Sequence, residues 1–234
     1  MKRVAEKAAI FLLAVLVSTI AAGYASAEGI DFVAPGVKVV DAYTLKAPNN
    51  LYNGFNAVES DGSVNVVIEI PAGTNAKWEV SRQDGSIIKW EFKNGKPRIV
   101  NYLGYPGNYG SVSRTLLPKE LGGDGDPLDI IVVGPALPRG AVVKCRLIGI
   151  LRLLEDGEQD DKLVAVPLDG PLSDVNDIEA LQTKYPGITN ILEIWFTSYK
   201  GPGSGIETKG FGNAAAARKV LDATVRAYKD FAIQ

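Results

Sequence analysis

The sequence predicts an α+β fold in which a closed or strongly curved β-barrel comes first and helices follow in the last third of the chain. From residue 64 onward, short segments that are β-branched or alternate between apolar and polar residues are separated by turn signals, which is typical of a barrel. Apolar residues at helical spacing occur only after residue 173. The length of 234 residues suits a single domain, because barrels of about 200–250 residues fold as one unit.

Residues 1–27 have the pattern of a secretory signal peptide. A basic start is followed by an apolar stretch over residues 8–22 and by Ala25-Ser26-Ala27, an A-x-A cleavage site. A transmembrane anchor is the alternative, but spanning a bilayer takes about 18–20 apolar residues, more than this stretch contains. We therefore expect cleavage after Ala27, export to the periplasm or the extracellular space, and no stable membrane association of the mature chain.

Residues 28–63 are rich in Gly, Pro, Asn and Asp and predict an N-terminal arm of one or two strands and loops. Residues 64–234 then form the barrel domain. Cys145 stands in an alternating run, which predicts a small buried strand residue without a redox role. The segments with the composition of strands are 64–71, 77–81, 87–92, 130–133, 141–154 and 163–166.

Three helices are predicted in the last third of the chain. The first, over 174–185, ends before Pro186-Gly187, and the second, over 188–200, ends before Gly201-Pro202. Asn213 can cap the third, over 214–233, after a Gly-rich loop. The residues at helical spacing in the second helix are Ile188, Ile191, Leu192, Trp195 and Tyr199. The buried stripe expected in the third is Leu221, Val225, Tyr228 and Phe231, with Thr224 on the same face.

Missing residue types exclude several classes of enzyme. The chain has no His, which excludes a Ser-His-Asp triad, a Cys-His dyad and an HExxH zinc site. Its single Cys cannot form an intrachain disulfide or an iron–sulfur cluster. Acid–base and metal chemistry must therefore come from carboxylates, Lys, Arg and Tyr, and oxygen ligands favour Mg²⁺, Mn²⁺ or Ca²⁺. The formal net charge of −2 gives no basic footprint for nucleic acid.

Three carboxylates, Asp124, Asp126 and Asp129, stand within six residues on a Gly-rich turn that leads into the predicted strand 130–133. Like charges this close repel one another, so the turn is costly unless a cation neutralises it. The alternative is a solvated Asp-Gly turn, and the segment does not follow the EF-hand pattern. A second acidic run, over 155–162, is by itself an ordinary hairpin tip.

Two further segments carry unusual residues. Glu69 lies in the middle of the strand 64–71, and Lys77 and Glu79 lie on one face of the next strand. Exposed strand faces would explain both placements. Tyr105 and Tyr109 belong to a rigid turn that has no obvious packing need for two tyrosines.

Taken together, these segments resemble the soluble family I inorganic pyrophosphatases. The motifs IEIP, KWE, PRIV, YPGNYG, DGDPLD, DDKLVAVP and a late YK pair occur in the order of that family, from about residue 64 to residue 231. The resemblance implies an α+β fold, an OB-like closed β-barrel with two to three C-terminal helices packed against it. It also implies metal-dependent hydrolysis of inorganic pyrophosphate to two orthophosphates, with several Mg²⁺ per site and Mn²⁺ as an alternative. We expect pyrophosphate as the substrate, no nucleic-acid partner, and a homo-oligomer.

The resemblance assigns metal roles to six carboxylates. One ion would be held by Asp124, Asp129 and Asp160, with Asp129 bridging to a second, and the ions that arrive with the substrate would be held by Glu69, Glu155 and Asp156. This chain has Glu then Asp at 155 and 156 where the family usually has Asp then Glu, so which of the two ligates is left open. Together with Asp126 and Glu79, these six make eight carboxylates, against four cations, Lys77, Arg98, Lys162 and Lys200. The excess of negative charge would repel a polyanionic substrate, so divalent ions would be needed for binding as well as for the chemistry.

The remaining roles implied by the resemblance concern catalysis and phosphate binding. Asp126 would orient the attacking water and accept its proton, with Tyr109 and Lys200 completing the catalytic set. Tyr105 and Tyr109 would hydrogen-bond within the site, and Glu79 would be an acid just outside the metal ligands. The phosphate-binding residues would be Lys77, Arg98, Lys162, Tyr199 and Lys200.

Two other functions are alternatives to this one. An exported phosphoanhydride hydrolase acting on polyphosphate or nucleotides would need a surface for a base, and a site lined by charges and closed by Tyr199 and Lys200 offers no evident aromatic shelf. A non-catalytic barrel that binds metal or polyanions would be favoured by loss of an aspartate or a phosphate-binding lysine, and the chain keeps all of them.

Overall fold

The structure, a computed structural model, describes residues 32–117, 123 and 125–232. The predicted signal peptide and Asp124 of the carboxylate cluster lie outside the described residues. Within them the strands are β1 (Lys38–Asp41), β2 (Thr44–Lys46), β3 (Val64–Ile70), β4 (Trp78–Val80), β5 (Ile87–Trp90), β6 (Phe92–Lys93), β7 (Lys96–Pro97), β8 (Asn108–Val112), β9 (Asp129–Val132), β10 (Val142–Glu155), β11 (Glu158–Gln159), β12 (Lys162–Pro167) and β13 (Ile206–Asn213). The described helices are α1 (Ile178–Lys184), α2 (Ile188–Ser198) and α3 (Ala214–Ala232). Among the residues so described, no helix combines the length and the apolarity needed to cross a membrane.

Five of these strands close into a barrel, which confirms the predicted α+β plan. β3 pairs with β8, β8 with β9, β9 with β12, β12 with β10, and β10 with β3 again. All of these pairs are antiparallel except β9–β12, which is parallel. The barrel interior is apolar because β3, β9 and β12 are rich in Val, Ile and Leu, and their side chains are almost all buried.

β10 is a strand of 14 residues that belongs to the barrel and also, through its second half, to a two-stranded flap with β13. Its start pairs with β3, its middle with β12, and its second half with β13, which lies in the Gly-rich segment expected to be a loop. Two register shifts, between Leu147 and Gly149 and between Leu151 and Leu153, bend the strand. Cys145 on this strand is fully buried as predicted, and burial raises its pKa to about 12.

The N-terminal arm joins a second sheet, of order β1-β2-β5-β4. Leu45 of β2 pairs with Ile88 of β5, and Trp78 of β4 pairs with Trp90 of β5. Leu45, Trp78 and Ile88 are fully buried and pack with Val67 of the barrel. The arm is therefore packed on the same sheet that presents Lys77 and Glu79.

The helix ends follow from local hydrogen bonds. α1 begins at Ile178, later than the predicted 174, because the Asp177 side chain caps it by accepting a hydrogen bond from the Ala180 amide at 2.7 Å. α2 ends at Ser198, with Tyr199 as its C-cap. Asn213 caps α3 as predicted, since its side chain accepts from the Ala216 amide at 3.0 Å.

The predicted burial of α3 is correct in its first turns and wrong near its end. Leu221 and Thr224 are fully buried, and α3 packs on β10 and β13. Phe231 is 63% exposed, and the buried residues of the helix, Ala217, Leu221 and Thr224, all lie before its last two turns. In α2, Leu192 and Trp195 are buried, whereas Ile191 is 57% exposed.

Candidate active site

A cavity of about 560 Å³ lies where the barrel wall faces the second sheet, and it is rich in charge. Of the described residues, seven carboxylates and three cations line it, which leaves a formal excess of four negative charges. The carboxylates are Glu69, Glu79, Glu91, Asp126, Asp129, Glu158 and Asp160, and the cations are Lys77, Arg82 and Lys89. An acidic concave surface of this kind attracts cations from solution.

Asp129 and Asp160 converge on the ammonium group of Lys162. Asp129 begins β9 and Lys162 begins β12, and the parallel pairing of these strands sets the two residues side by side. Lys162 Nζ donates to Asp129 Oδ2 at 2.6 Å and also to Asp160 Oδ1. Burial works to lower the pKa of Lys162, but the two carboxylates outweigh burial and raise it. Burial works to raise the pKa of Asp129, and Lys162 outweighs burial and lowers it.

Asp160 differs from Asp129 in the direction of its pKa shift. Burial raises the pKa of Asp160, and the negative charges of Asp129 and Glu155 add to that rise, while Lys162 opposes it. One ammonium therefore does not neutralise both carboxylates. A second positive charge beside Asp160 would relieve this repulsion.

Tyr109 lines the cavity beside Asp129, near the position that the resemblance implies for it. Its hydroxyl hydrogen-bonds to Asp129, and burial together with the charge of Asp129 raises the pKa of Tyr109 well above its usual value. Its ring lies 5.5 Å from the ring of Tyr105 and 6.0 Å from that of Phe196 in α2. The two tyrosines of the turn thus hold the site and also pack against a helix.

A β-bulge presents Glu69 to the cavity. The pairing of β3 with β8 shifts register between Ile68 and Ile70, so Glu69 is the extra residue of the bulge. Glu69 Oε1 accepts hydrogen bonds from the Val80 amide at 2.9 Å and from the Ser111 hydroxyl at 3.4 Å. Burial raises the pKa of Glu69 to about 8, so this carboxyl is mostly protonated at neutral pH unless a cation lies beside it.

Lys77 and Glu79 form an ion pair at the cavity wall, as expected for two charges on one strand face. The Lys77 ammonium also lies 5.8 Å from the centre of the Tyr109 ring. Burial works to lower the pKa of Lys77, but Glu79 outweighs burial and raises it. Lys77 is therefore a permanent cation next to the Asp129 side of the cavity.

Asp126 faces the cavity and forms an ion pair with Arg82, a residue that sequence reasoning missed. Arg82 lies in the turn after β4, beyond the KWE motif that drew attention to this strand. The side chains of Asp126 and Arg82 are 44% and 53% exposed, so solvent and small ligands reach both. The only signal in the sequence was a basic residue just past a charged strand.

The hairpin tip after β10 places the second acidic run differently from the prediction. Glu155 pairs with Lys200, and Asp156 has a left-handed φ of 52° and turns toward the loop at Gly205, whose carbonyl accepts from the Asp156 amide at 3.0 Å. Neither Glu155 nor Asp156 lines the cavity, whereas Glu158 does. Glu158 was missed because the spacing of the acidic residues in the run 155–162 does not show which of them turns toward the cavity. That depends on how the hairpin tip folds.

Arg98 does not line the cavity either. Its Nη1 donates to both carboxylate oxygens of Glu91, at 2.9 and 2.8 Å, and Glu91 is the residue that lines the wall. Arg98 therefore lies one side chain behind the position expected for a phosphate ligand. Asp124, the remaining member of the predicted set, lies outside the described residues.

The donor set fits hard divalent cations, although no three acids among residues 32–117, 123 and 125–232 are already gathered around one point. The carboxylates contact cationic side chains instead: Lys162 lies between Asp129 and Asp160, and Arg82 contacts Asp126. Two carboxylates that share one ammonium are within reach of one metal ion. Carboxylate oxygens are the ligands that Mg²⁺ and Mn²⁺ prefer.

Neither Tyr199 nor Lys200, which the resemblance makes phosphate ligands, is among the described residues that line the cavity. If Lys200 binds phosphate all the same, Lys200→Ala should raise KM about tenfold and lower kcat less, because tenfold corresponds to about 1.4 kcal/mol, the size of one charge-assisted contact. Steady-state phosphate release measures it. Lys209→Ala is the matched control, since Lys209 also pairs with a glutamate, Glu207, and the resemblance gives it no role in the site. Kinetics of Lys200→Ala identical to those of the control would contradict a role in binding.

Several known proteins are similar to this chain. The model of the family described as "Inorganic pyrophosphatase" matches residues 66–229. The chain is 35% identical over 162 residues to a mitochondrial inorganic pyrophosphatase of Saccharomyces cerevisiae, an alignment that covers 62% of this chain and 52% of that protein. It is 36% identical over 172 residues to an inorganic pyrophosphatase of Xylella fastidiosa, covering 71% of this chain and 90% of the relative. The chain thus spans about half the length of the yeast relative and most of the bacterial one.

A solved structure of the inorganic pyrophosphatase from Helicobacter pylori superimposes on 75% of this chain and 98% of its own, with a TM-score of 0.62 and 32% identity. The type I inorganic pyrophosphatase of P. falciparum gives a TM-score of 0.72 at 26% identity, covering 79% of this chain and 65% of that one. The barrel with its C-terminal helices is therefore similar to that of solved proteins, in agreement with the expected OB-like fold.

Proposed function

The chain belongs to the inorganic pyrophosphatase family, and we propose that it hydrolyses inorganic pyrophosphate to two orthophosphates. The observation that carries the proposal is the convergence of Asp126, Asp129 and Asp160 with Lys77 and Lys162 in and beside one cavity. Phosphoanhydride hydrolysis needs a water that can attack, a group that accepts its proton, and positive charge on the leaving phosphate. Residue types for all three needs are present.

The proposed division of work follows from the contacts. Asp126 is open to the cavity and accepts the proton of the attacking water. Lys77 keeps its charge because Glu79 raises its pKa, so it stabilises charge that develops on the phosphates. Lys162 and the Tyr109 hydroxyl hold Asp129 in a fixed orientation. Fixed donors and acceptors of this kind lower the barrier because little reorganisation remains to be done at the moment of reaction.

We propose Mg²⁺ as the cofactor, with several ions per site and Mn²⁺ as an alternative. Such ions supply a nucleophile at neutral pH by lowering the pKa of a bound water. Asp129, Asp160 and Asp124 would hold the first ions, and Glu69 would face those that come with the substrate. Glu158 joins Glu155 and Asp156 as a candidate on that side, because it lines the cavity.

We also propose that the protein works outside the cytoplasm, as a homo-oligomer, after loss of residues 1–27. The signal-peptide pattern of the sequence supports export, and the resemblance to the family supports the homo-oligomer. Mass spectrometry of the exported protein would give an N-terminus at Glu28, and light scattering would give a multiple of the mature mass. An intact N-terminus or a monomer would remove the corresponding part of this proposal.

The function is tested by phosphate release from pyrophosphate by the purified protein lacking residues 1–27, with and without Mg²⁺. ATP and tripolyphosphate are run beside it at the same phosphoanhydride concentration. We expect release from pyrophosphate that depends on Mg²⁺ and exceeds release from the other two. Equal rates on all three would favour a general phosphoanhydride hydrolase, and binding without release would favour a non-catalytic barrel.

Mg²⁺ should raise the melting temperature, because ions bound only by the native state relieve the excess negative charge of the cavity. At a hundredfold excess over Kd one site stabilises by about 2.7 kcal/mol, which corresponds to roughly 5–10 °C at this chain length. Asp129→Ala should lose most of the increment. Thermal scans in EDTA, in Mg²⁺ and in NaCl of equal ionic strength measure it, and equal shifts in the two salts would mean that the acids hold no ion specifically.

A further inference from the structure

Two contacts of Asp126 lead back to one loop of the N-terminal arm. The first is the ion pair with Arg82, which lies in the turn after β4. The second is a backbone hydrogen bond, from the Leu117 amide to the Asp126 carbonyl at 2.8 Å. Both partners lie outside the barrel strands. Whatever holds Arg82 and Leu117 in place therefore helps to decide where Asp126 lies.

The turn that carries Arg82 is bonded to the arm. The Leu51 amide donates to the Gly85 carbonyl at 2.8 Å, and the Ala47 amide donates to the Ser86 carbonyl at 2.7 Å. The approach is so close that a side chain on Gly85 would overlap the side chain of Asn50. The arm thus fixes this turn on its outer side.

The segment that carries Leu117 is bonded to the same loop of the arm. The Arg114 amide and the Ser113 hydroxyl both donate to the Tyr52 carbonyl, at 2.9 and 3.1 Å. The Arg114 guanidinium extends the contact, because Nε donates to the Asn53 carbonyl at 2.7 Å and Nη1 to the Asn56 side-chain oxygen at 3.0 Å. The arm loop 50–56 is thus hydrogen-bonded both to the turn that carries Arg82 and to the segment that carries Leu117, the two segments that contact Asp126.

Arg114 also has a backbone conformation that needs support. Its φ is 54°, in the left-handed region, which long side chains seldom adopt. Such a conformation persists where surrounding contacts over-determine it, and it is frequent at functional sites. Here the surrounding contacts are the bonds to the arm.

We propose that the arm loop 50–56 is a brace that positions Asp126, and that Arg114 is the positioning residue through which the brace acts on the segment 113–117. The proposal rests on the proposed function, because it takes Asp126 as the proton acceptor. The loop lies outside residues 66–229, which the family model matches. The side chain of Tyr52, in the same loop, packs against the turn that carries Arg82, since a side chain on Gly85 would come within 2.7 Å of the Tyr52 Cβ.

The test compares Arg114→Gly with Arg218→Ala. Glycine removes the guanidinium bonds and suits the left-handed backbone, so the fold should tolerate the change. Arg218 is the matched control because its Nη2 donates to the Gly62 carbonyl at 2.8 Å, which also ties the arm to the rest of the molecule but away from Asp126. For Arg114→Gly we expect kcat to fall about tenfold at nearly unchanged KM, since small displacements of a reacting group cost rate and not ground-state binding. Arg114→Lys, which keeps a donor, should recover part of the loss, and Arg218→Ala should leave both constants unchanged.

A double variant separates positioning from general damage. In the Asp126→Asn background the change Arg114→Gly should cost little more, because the group it positions is already gone. A further tenfold loss in that background, or unchanged kcat in the single variant, would overturn the proposal.

Hydrogen exchange at the Leu117 amide gives a readout that does not depend on activity. The bond to Asp126 should open more often in Arg114→Gly and not in Arg218→Ala. If the native protein does not hydrolyse pyrophosphate, the proposed function fails on its own, and this exchange still decides the brace. Unchanged protection of Leu117 in Arg114→Gly would overturn it.

Discussion

Replacing Asp126 by Asn is expected to lower kcat by a factor on the order of 10²–10⁴, the usual contribution of a positioned proton acceptor. Asparagine keeps the shape of the side chain but cannot accept a proton from water at neutral pH. The side chain is 44% exposed, so the fold should be preserved. Steady-state phosphate release and a melting curve measured on the same preparation give the two quantities.

Asp169→Asn is the control for this result, because Asp169 is an exposed aspartate in the loop after β12 and outside the cavity. It should leave kcat unchanged. Near-normal turnover of Asp126→Asn would assign proton acceptance to another group, and the ion pair with Arg82 would then be only a surface contact, of which the typical worth is below about 1 kcal/mol.

Gly110→Ala is expected to destabilise the protein by about 3 kcal/mol, the upper end of the usual cost of overpacking. Gly110 lies in β8 opposite Ile68, next to the bulge at Glu69. A methyl group there would overlap the carbonyl oxygen of Val67 and would lie 3.1 Å from the Glu69 amide. Both atoms belong to the backbone of β3, so the strands would have to separate, and the melting temperature should fall by roughly 6–12 °C.

Gly62→Ala provides the comparison, since a methyl group at Gly62 meets no atom within 4 Å but its φ of +84° is unfavourable for alanine. That conformation alone costs about 1–2 kcal/mol. A loss for Gly110→Ala no greater than for Gly62→Ala would mean that crowding at the bulge is relieved easily. A larger loss for Gly110→Ala would explain why the YPGNYG motif ends in glycine, directly after Tyr109.

Much of the fold could be predicted because strand composition and turn residues act locally. The segments 64–71, 141–154 and 163–166 were placed to within about one residue of β3, β10 and β12. β13 was missed because its pairing with β10 is a tertiary effect, and Gly210 and Gly212 within it favour a loop when the chain is considered alone. Phe231 was misplaced because periodicity shows which face of a helix is apolar but not where its supporting sheet ends.

The residues of the site, like the elements of the fold, divide into those that the sequence could indicate and those that depend on tertiary contacts. The resemblance to the family placed Asp129 and Lys162 in one site, and the structure brings them together because β9 and β12 are parallel neighbours. Arg82 and Glu158 could not be found, because Arg82 lies on a turn and Glu158 in the two-residue strand β11, and the direction of both depends on how the chain folds around them. The resemblance to the family placed Arg98 among the phosphate ligands, but the structure pairs it with Glu91, a carboxylate that no motif marks.

The long strand β10 has a consequence for how the chain folds. The barrel closes only when Val143 meets Val66, and the flap forms only when Leu153 meets Thr208, so pairings distant in sequence converge on one strand. Each closure loses chain entropy before the contact is gained. Topologies dominated by such non-local pairs fold slowly, in milliseconds to seconds for small domains. We therefore expect pairing of β10 to limit the rate of folding, and a substitution that weakens its register should slow refolding more than a substitution on the exposed face of α3.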